Sequence, residues 1–113
     1  TPAYMPPEQL TAESGSITVA AHQYALGIVL YEILVGQRPF TQTDPVILVY
    51  QHTRVAPPNP SQLNSRIAPE IEQALLKMLA KSPTERFESI EAVQEALAAL
   101  SFTTWRGLPD TMI

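Results

Sequence analysis

The chain has 113 residues, seven basic against eleven acidic, a net charge of −4 and no cysteine. That length makes one domain the default, and mild acidity without a Lys/Arg cluster excludes a nucleic-acid footprint. Without cysteine there is no disulfide, no zinc–thiolate centre and no thiol nucleophile, and His22 and His52 stand too far apart along the chain to suggest a metal site.

Residues 1–7, TPAYMPP, read as a loop. Pro7 suits the first position of a helix, where its missing N–H costs nothing, and Pro6 is held extended by the proline that follows it. Glu8 then stands in the first turn, where the helix dipole favours a carboxylate, so a short helix is expected over about 7–11. Residues 12–19, AESGSITV, are small and polar and read as loop. A second helix is expected over about 21–35, with Gly36 as its stop. Its stretch YALGIVLYEILV is interrupted by Glu32 and falls short of the about 20 apolar residues a membrane span needs. Ala25, Leu26, Ile28, Val29, Leu30, Ile33 and Leu34 cover more than one face, so this helix is expected to be the core, buried on most sides.

Asp44-Pro45 supplies a cap and a first-position proline for a third helix, expected to run to about His52. VAPPNPSQLN, 55–64, is proline-rich and is expected to be an extended, non-helical segment laid over the surface. Pro69 opens a fourth helix with Glu70 and Glu72 in its first turn and one apolar stripe of Ile71, Leu75, Met78 and Leu79. Ser82-Pro83 is expected to end it. Ser89 caps a fifth helix with the stripe Ile90, Val93, Leu97 and Leu100. The remaining stretch, FTTWRGLPDTMI, has no period, and no strand-like alternation occurs. The expected fold is all-α, about five helices around a buried central helix. Tyr24, Tyr31 and Tyr50 read as core or rim aromatics, Met5 and Met78 as packing residues, and Trp105 as a cover for the last helix or the opening of a linker.

Four stretches, in this order, resemble the second half of a protein kinase catalytic domain. TPAYMPPEQL resembles the end of the activation segment, G-T-x-x-Y-M-[A/S]-P-E. HQYALGIVLYEILVGQRPF resembles D-x-Y-[S/A]-L-G-x-x-L-Y-E-[ML]-L-x-G-x-x-P-F. LLKMLAKSPTERFESIEAVQEAL resembles L-x-K-x-L-x-K-D-P-x-x-R-[FP]-x-[S/T]. The proline-rich segment between the third and fourth helices has its counterpart too. The resemblance is to bacterial serine/threonine kinases of the kind found on membrane-anchored receptors. It implies a kinase C-lobe fragment over residues 1–100 and a tail or linker over 101–113. It also implies a parent protein that uses ATP and Mg²⁺ to phosphorylate protein Ser or Thr, with its kinase domain in the cytoplasm. The implied partners are a protein substrate and the preceding part of the kinase domain, with no nucleic acid and no membrane segment within these residues.

The kinase phosphate loop, strand lysine, catalytic loop and Asp-Phe-Gly all come before this region. None is present in the 113 residues, so the resemblance implies no catalytic residue, cofactor or metal site here and no activity from the chain alone. Glu8 corresponds to the A-P-E glutamate and Arg86 to its arginine partner, a pairing suited to the planar guanidinium fork. Read without the resemblance, Glu8 is a favourable first-turn acid and Arg86 a solvated charge. Thr1 corresponds to the threonine that bonds the catalytic Asp and Lys. Pro2, Ala3, Tyr4 and Met5 correspond to the loop that receives the substrate residue after the phosphorylated one. His22 departs from the pattern: it stands at the family Asp that shapes the catalytic loop, and a neutral histidine accepts at one nitrogen only. That departure supports the alternative of a pseudokinase or a helical interaction module. Pro6 for Ala or Ser, and Ser82 for an acid, are milder departures. The central helix is expected to leave apolar surface bare where the preceding half of such a domain packs, and so to favour self-association.

Overall fold

The structure, a computed structural model, describes residues 3–10 and 19–98. Its elements are α1 (Pro7–Leu10), α2 (Val19–Val35), α3 (Pro45–Arg54), α4 (Pro60–Leu63), α5 (Pro69–Met78), a 3₁₀ turn at Pro83–Glu85, and α6 (Ile90–Ala98). The fold is all-α, and no strand occurs among the described residues. Proline explains much of the punctuation. Pro7, Pro45, Pro60, Pro69 and Pro83 each open an element, because a fixed φ near −65° and a missing N–H both suit a first helical turn.

The remaining boundaries are set by side-chain caps and one glycine. The Asp44 carboxylate accepts from the Val46 N–H at 2.9 Å, and the Ser89 hydroxyl accepts from the Ala92 N–H at 3.0 Å. Gly36 ends α2 at φ 92°, a conformation that favours glycine, and its N–H donates to the Glu32 carbonyl at 2.9 Å.

The proline-rich segment is not wholly extended, contrary to the sequence expectation. Its last proline, Pro60, is buried and starts the single turn α4. Ser61, Gln62 and Leu63 each carry an N–H, and that of Gln62 donates to the Asn59 carbonyl at 3.0 Å, so nothing prevents a turn once the third proline has been passed. Other boundaries move by a few residues: α2 starts at Val19, α3 continues to Arg54, and α5 ends at Met78, ahead of Ser82.

The core lies between α2 and α5. Tyr24, Ile28, Tyr31 and Leu34 pack with Ile67, Ile71, Leu75 and Leu79. Fully burying side chains of this size contributes about 1.5–3 kcal/mol each. The helices approach closely at Gly27, where an added Cβ would lie 2.9 Å from Leu79 Cδ2 and 3.1 Å from Met78 Cβ. The opposite face of α2 is open: Leu26, Val29 and Ile33 are each about two-fifths exposed, at 40%, 40% and 38%. The central helix is therefore buried along one face, not on most sides. Tyr50 and Met5 are also exposed, whereas Tyr24, Tyr31 and Met78 are buried. Of the last stripe, Val93 is buried and Ile90 and Leu97 half-buried, while Leu100 lies outside the described residues.

Candidate functional site

The polar centre of the molecule is Arg86, just after the 3₁₀ turn, whose side chain is fully buried. A guanidinium has five N–H donors and no way to shed its charge, so burial requires five acceptors. They are all present. Nε donates to the Ala80 carbonyl at 2.8 Å. Nη1 donates to Glu8 Oε2 at 2.8 Å and to the Ala20 carbonyl at 2.9 Å. Nη2 donates to Glu8 Oε1 at 2.9 Å and to the Lys81 carbonyl at 3.3 Å. The guanidinium carbon also lies 4.9 Å from the Tyr24 ring centroid, a cation–π approach. One side chain thus ties together α1, the start of α2 and the chain after α5.

Beside it, Gln23 is fully buried. Its Nε2 donates to the Phe87 carbonyl and its Oε1 accepts from the Phe87 N–H, both at 2.9 Å. This clamp was missed from the sequence. Its only signal there is an amide side chain one position before Tyr24 in a mostly apolar helix.

A second buried cluster surrounds His52 on α3. Its Nδ1 lies 2.7 Å from the Tyr24 hydroxyl, and its ring meets Phe40 edge-on at 5.0 Å. Nε2 is buried without a hydrogen-bond partner. Burial, then the charge of Lys81, pushes the imidazole down to about 4, with the Ala3 backbone acting weakly in the opposite sense. Burial also holds the Tyr24 hydroxyl far above the usual phenol range. Lys81 donates from Nζ to the Gln51 carbonyl at 3.0 Å and lies 4.8 Å from the Phe40 centroid. Burial, then Arg86, lowers its ammonium to about 8.

Of the residues singled out from the sequence, the structure brings Glu8 and Arg86 into a two-bond ion pair. Ala3 is buried, Tyr4 half-buried and Met5 exposed. Tyr4 donates from its hydroxyl to Glu32 Oε1 at 2.9 Å, and that bond is the main reason its hydroxyl is raised above the usual phenol range. Arg38 lies 6.0 Å from the Tyr4 ring centroid. His22 is exposed near the start of α2. Thr1, Pro2, Trp105 and residues 101–113 lie outside the described residues. Among the described residues no helix is long and apolar enough to cross a membrane.

Comparison with known proteins adds a second line of argument. The family model for the protein kinase domain matches residues 1–98. The chain is 41% identical over 86 residues to the serine/threonine-protein kinase PknB of Mycolicibacterium smegmatis, covering 76% of this chain and 13% of that protein. It is 42% identical over 86 residues to PknB of Mycobacterium leprae, covering 76% of this chain and 14% of that one. It is 33% identical over 113 residues to the serine/threonine-protein kinase PksC of Streptomyces coelicolor, covering 100% of this chain and 20% of that one. The chain therefore spans about an eighth to a fifth of the length of these curated relatives.

Proposed function

The chain belongs to the protein kinase family, and from that premise we propose that it is the helical, substrate-side part of a bacterial serine/threonine kinase domain. In this reading residues 1–100 belong to the large lobe and 101–113 form a tail or linker. The parent protein transfers the γ-phosphate of ATP, with Mg²⁺, to Ser or Thr of a protein substrate in the cytoplasm. The 113 residues carry none of the nucleotide-binding or catalytic-loop motifs, so the chain by itself is inactive.

The observation that carries the reading is the Glu8–Arg86 pair. Its two parallel bonds fix the direction of approach as well as the distance, so the segment ending at Glu8 is held on the helical base. Positioning is most of what a kinase contributes to phosphoryl transfer. A rigid base under Ala3–Met5 gives an incoming peptide a fixed surface beside the nucleotide.

The test is phosphate transfer from labelled ATP to a generic protein substrate. The 113-residue chain gives no transfer above blank. A longer protein that joins this segment to intact nucleotide-binding elements labels Ser or Thr. Turnover by the chain alone, or an inert longer protein with every motif intact, overturns the corresponding half of the proposal.

The exposed His22, at the position where the family has Asp, favours a second reading: a pseudokinase or helical interaction module that works by binding. His22→Asp in the longer protein separates the two. A large gain in activity supports a degenerate kinase, and no change supports an active one that tolerates histidine.

A further inference from the structure

The chain has two lysines, Lys77 and Lys81, and the fold treats them differently. Lys77 is exposed, with its ammonium 4.7 Å from the Phe87 ring centroid. Lys81 is half-buried just beyond α5 and reaches across to α3. Its Nζ donates to the Gln51 carbonyl at 3.0 Å and lies 4.8 Å from the Phe40 centroid. The carbonyl and the ring hold the amine in place, but neither neutralises a charge on it.

The rest of the setting opposes that charge. The one ion pair among the described residues is Glu8–Arg86, and Arg86 engages both Glu8 oxygens, so Lys81 has no counter-ion there. Arg86 is a cation that cannot shed its proton. Its Nη2 donates to the Lys81 backbone carbonyl at 3.3 Å, which fixes it beside the lysine. The other titratable groups of the cluster, His52 and the Tyr24 hydroxyl, are both uncharged near neutral pH and supply no negative charge. Burial, then Arg86, brings the ammonium down to about 8, so a sizeable share is free amine near neutral pH.

We propose that Lys81 is a site of acylation, its amine taking a short acyl group from an acyl phosphate. The ammonium first gives a proton to water. The nitrogen lone pair then attacks the acyl carbon: the N–C bond forms, the C–O bond to phosphate breaks, and phosphate leaves with that electron pair. The second proton on nitrogen also goes to water, and nothing is oxidised or reduced. The product suits its surroundings. A neutral amide keeps one N–H for the Gln51 carbonyl and removes the charge that Arg86 opposes. An anionic adduct such as a carbamate would instead face a carbonyl oxygen and the electron-rich face of a ring. None of this depends on the parent protein's phosphate transfer.

The test is incubation of the 113-residue chain with acetyl phosphate near neutral pH, with acetylation read peptide by peptide in a mass spectrometer. Lys81 should be acetylated about tenfold faster than Lys77, which serves as the internal comparison. The preference should vanish in urea, where both side chains are solvated. The rate at Lys81 should rise with pH and level off above about 8. Lys77 keeping pace with Lys81 in the native chain overturns the proposal. A preference that survives in urea also overturns it, because its cause would then lie in the local sequence and not in the fold. So does a rate at Lys81 that climbs unbroken towards 10.5, the ordinary lysine value.

Discussion

Tyr24 has two very different polar neighbours. Arg86 lies over its ring with all five donors matched, whereas His52 meets its hydroxyl with only one of two nitrogens matched. The carbonyls and carboxylate around Arg86 come from three separate stretches of chain. Around His52 even a neighbouring atom, Gln51 Oε1, is buried without a partner. The difference follows from charge. A guanidinium cannot become neutral, so it enters the interior only where every donor is met. An imidazole can enter half-satisfied by giving up its proton, and its affinity for that proton records the cost. One cluster is a clamp built round a cation that cannot shed its charge, and the other is a joint that acid can loosen.

The largest effect expected is at the clamp. Arg86→Ala, or Glu8→Ala with the guanidinium left buried, should each destabilise by about 3–5 kcal/mol in denaturant unfolding. The double variant should cost much less than the sum, and additive losses would mean that the two groups do not act as a unit. Arg86→Lys should recover little, because an ammonium offers three donors where five acceptors wait.

The joint gives the next effect, and it depends on pH. Unfolded, His52 takes a proton near its ordinary value of 6.5; folded, it does so only near 4. Between those values the unfolded chain binds more protons, so stability is full above pH 6.5 and is lost as pH falls towards 4, by up to about 2–3 kcal/mol. His52→Phe should flatten that slope in a series of thermal melts, and an unchanged slope would place the titration elsewhere.

Gly27→Ala probes the apolar contact between α2 and α5 without touching either polar cluster. The methyl would meet Leu79 and Met78 inside ordinary contact distance. Overpacking, partly offset by better helix propensity, should destabilise by about 1–2 kcal/mol with no change in pH dependence. The smallest effect is on the open face of α2. Leu26→Lys with Val29→Glu should change monomer stability by less than about 0.5 kcal/mol while lowering self-association in sedimentation. Association that survives both charges would locate it on another face.

Much of the local structure can be read before any folding is considered. Prolines 7, 45 and 69, Asp44, Ser89 and Gly36 each act within one turn of chain, and the spacing of Ile71, Leu75 and Met78 marks the buried side of α5 directly. The reading of α2 as buried on most sides was too generous because apolar residues surround it, so no contrast between faces shows which one meets α5. The turn at Pro60 was hidden by the two prolines before it. Gln23 was passed over because its partner, the backbone of Phe87, is a group that every residue possesses.

The sequence by itself therefore determined the prolines, caps and glycine that punctuate most of the helices, and through its motifs the family to which the chain belongs. Only the tertiary structure decided which face of α2 is covered, and that Arg86 is a buried hub rather than a solvated charge. Its acceptors on Glu8 and Ala20 lie 78 and 66 residues away along the chain. Helix starts and caps are local, set by dihedral angles and hydrogen bonds within a single turn. The satisfaction of a buried charge depends on groups that meet only after the chain has folded.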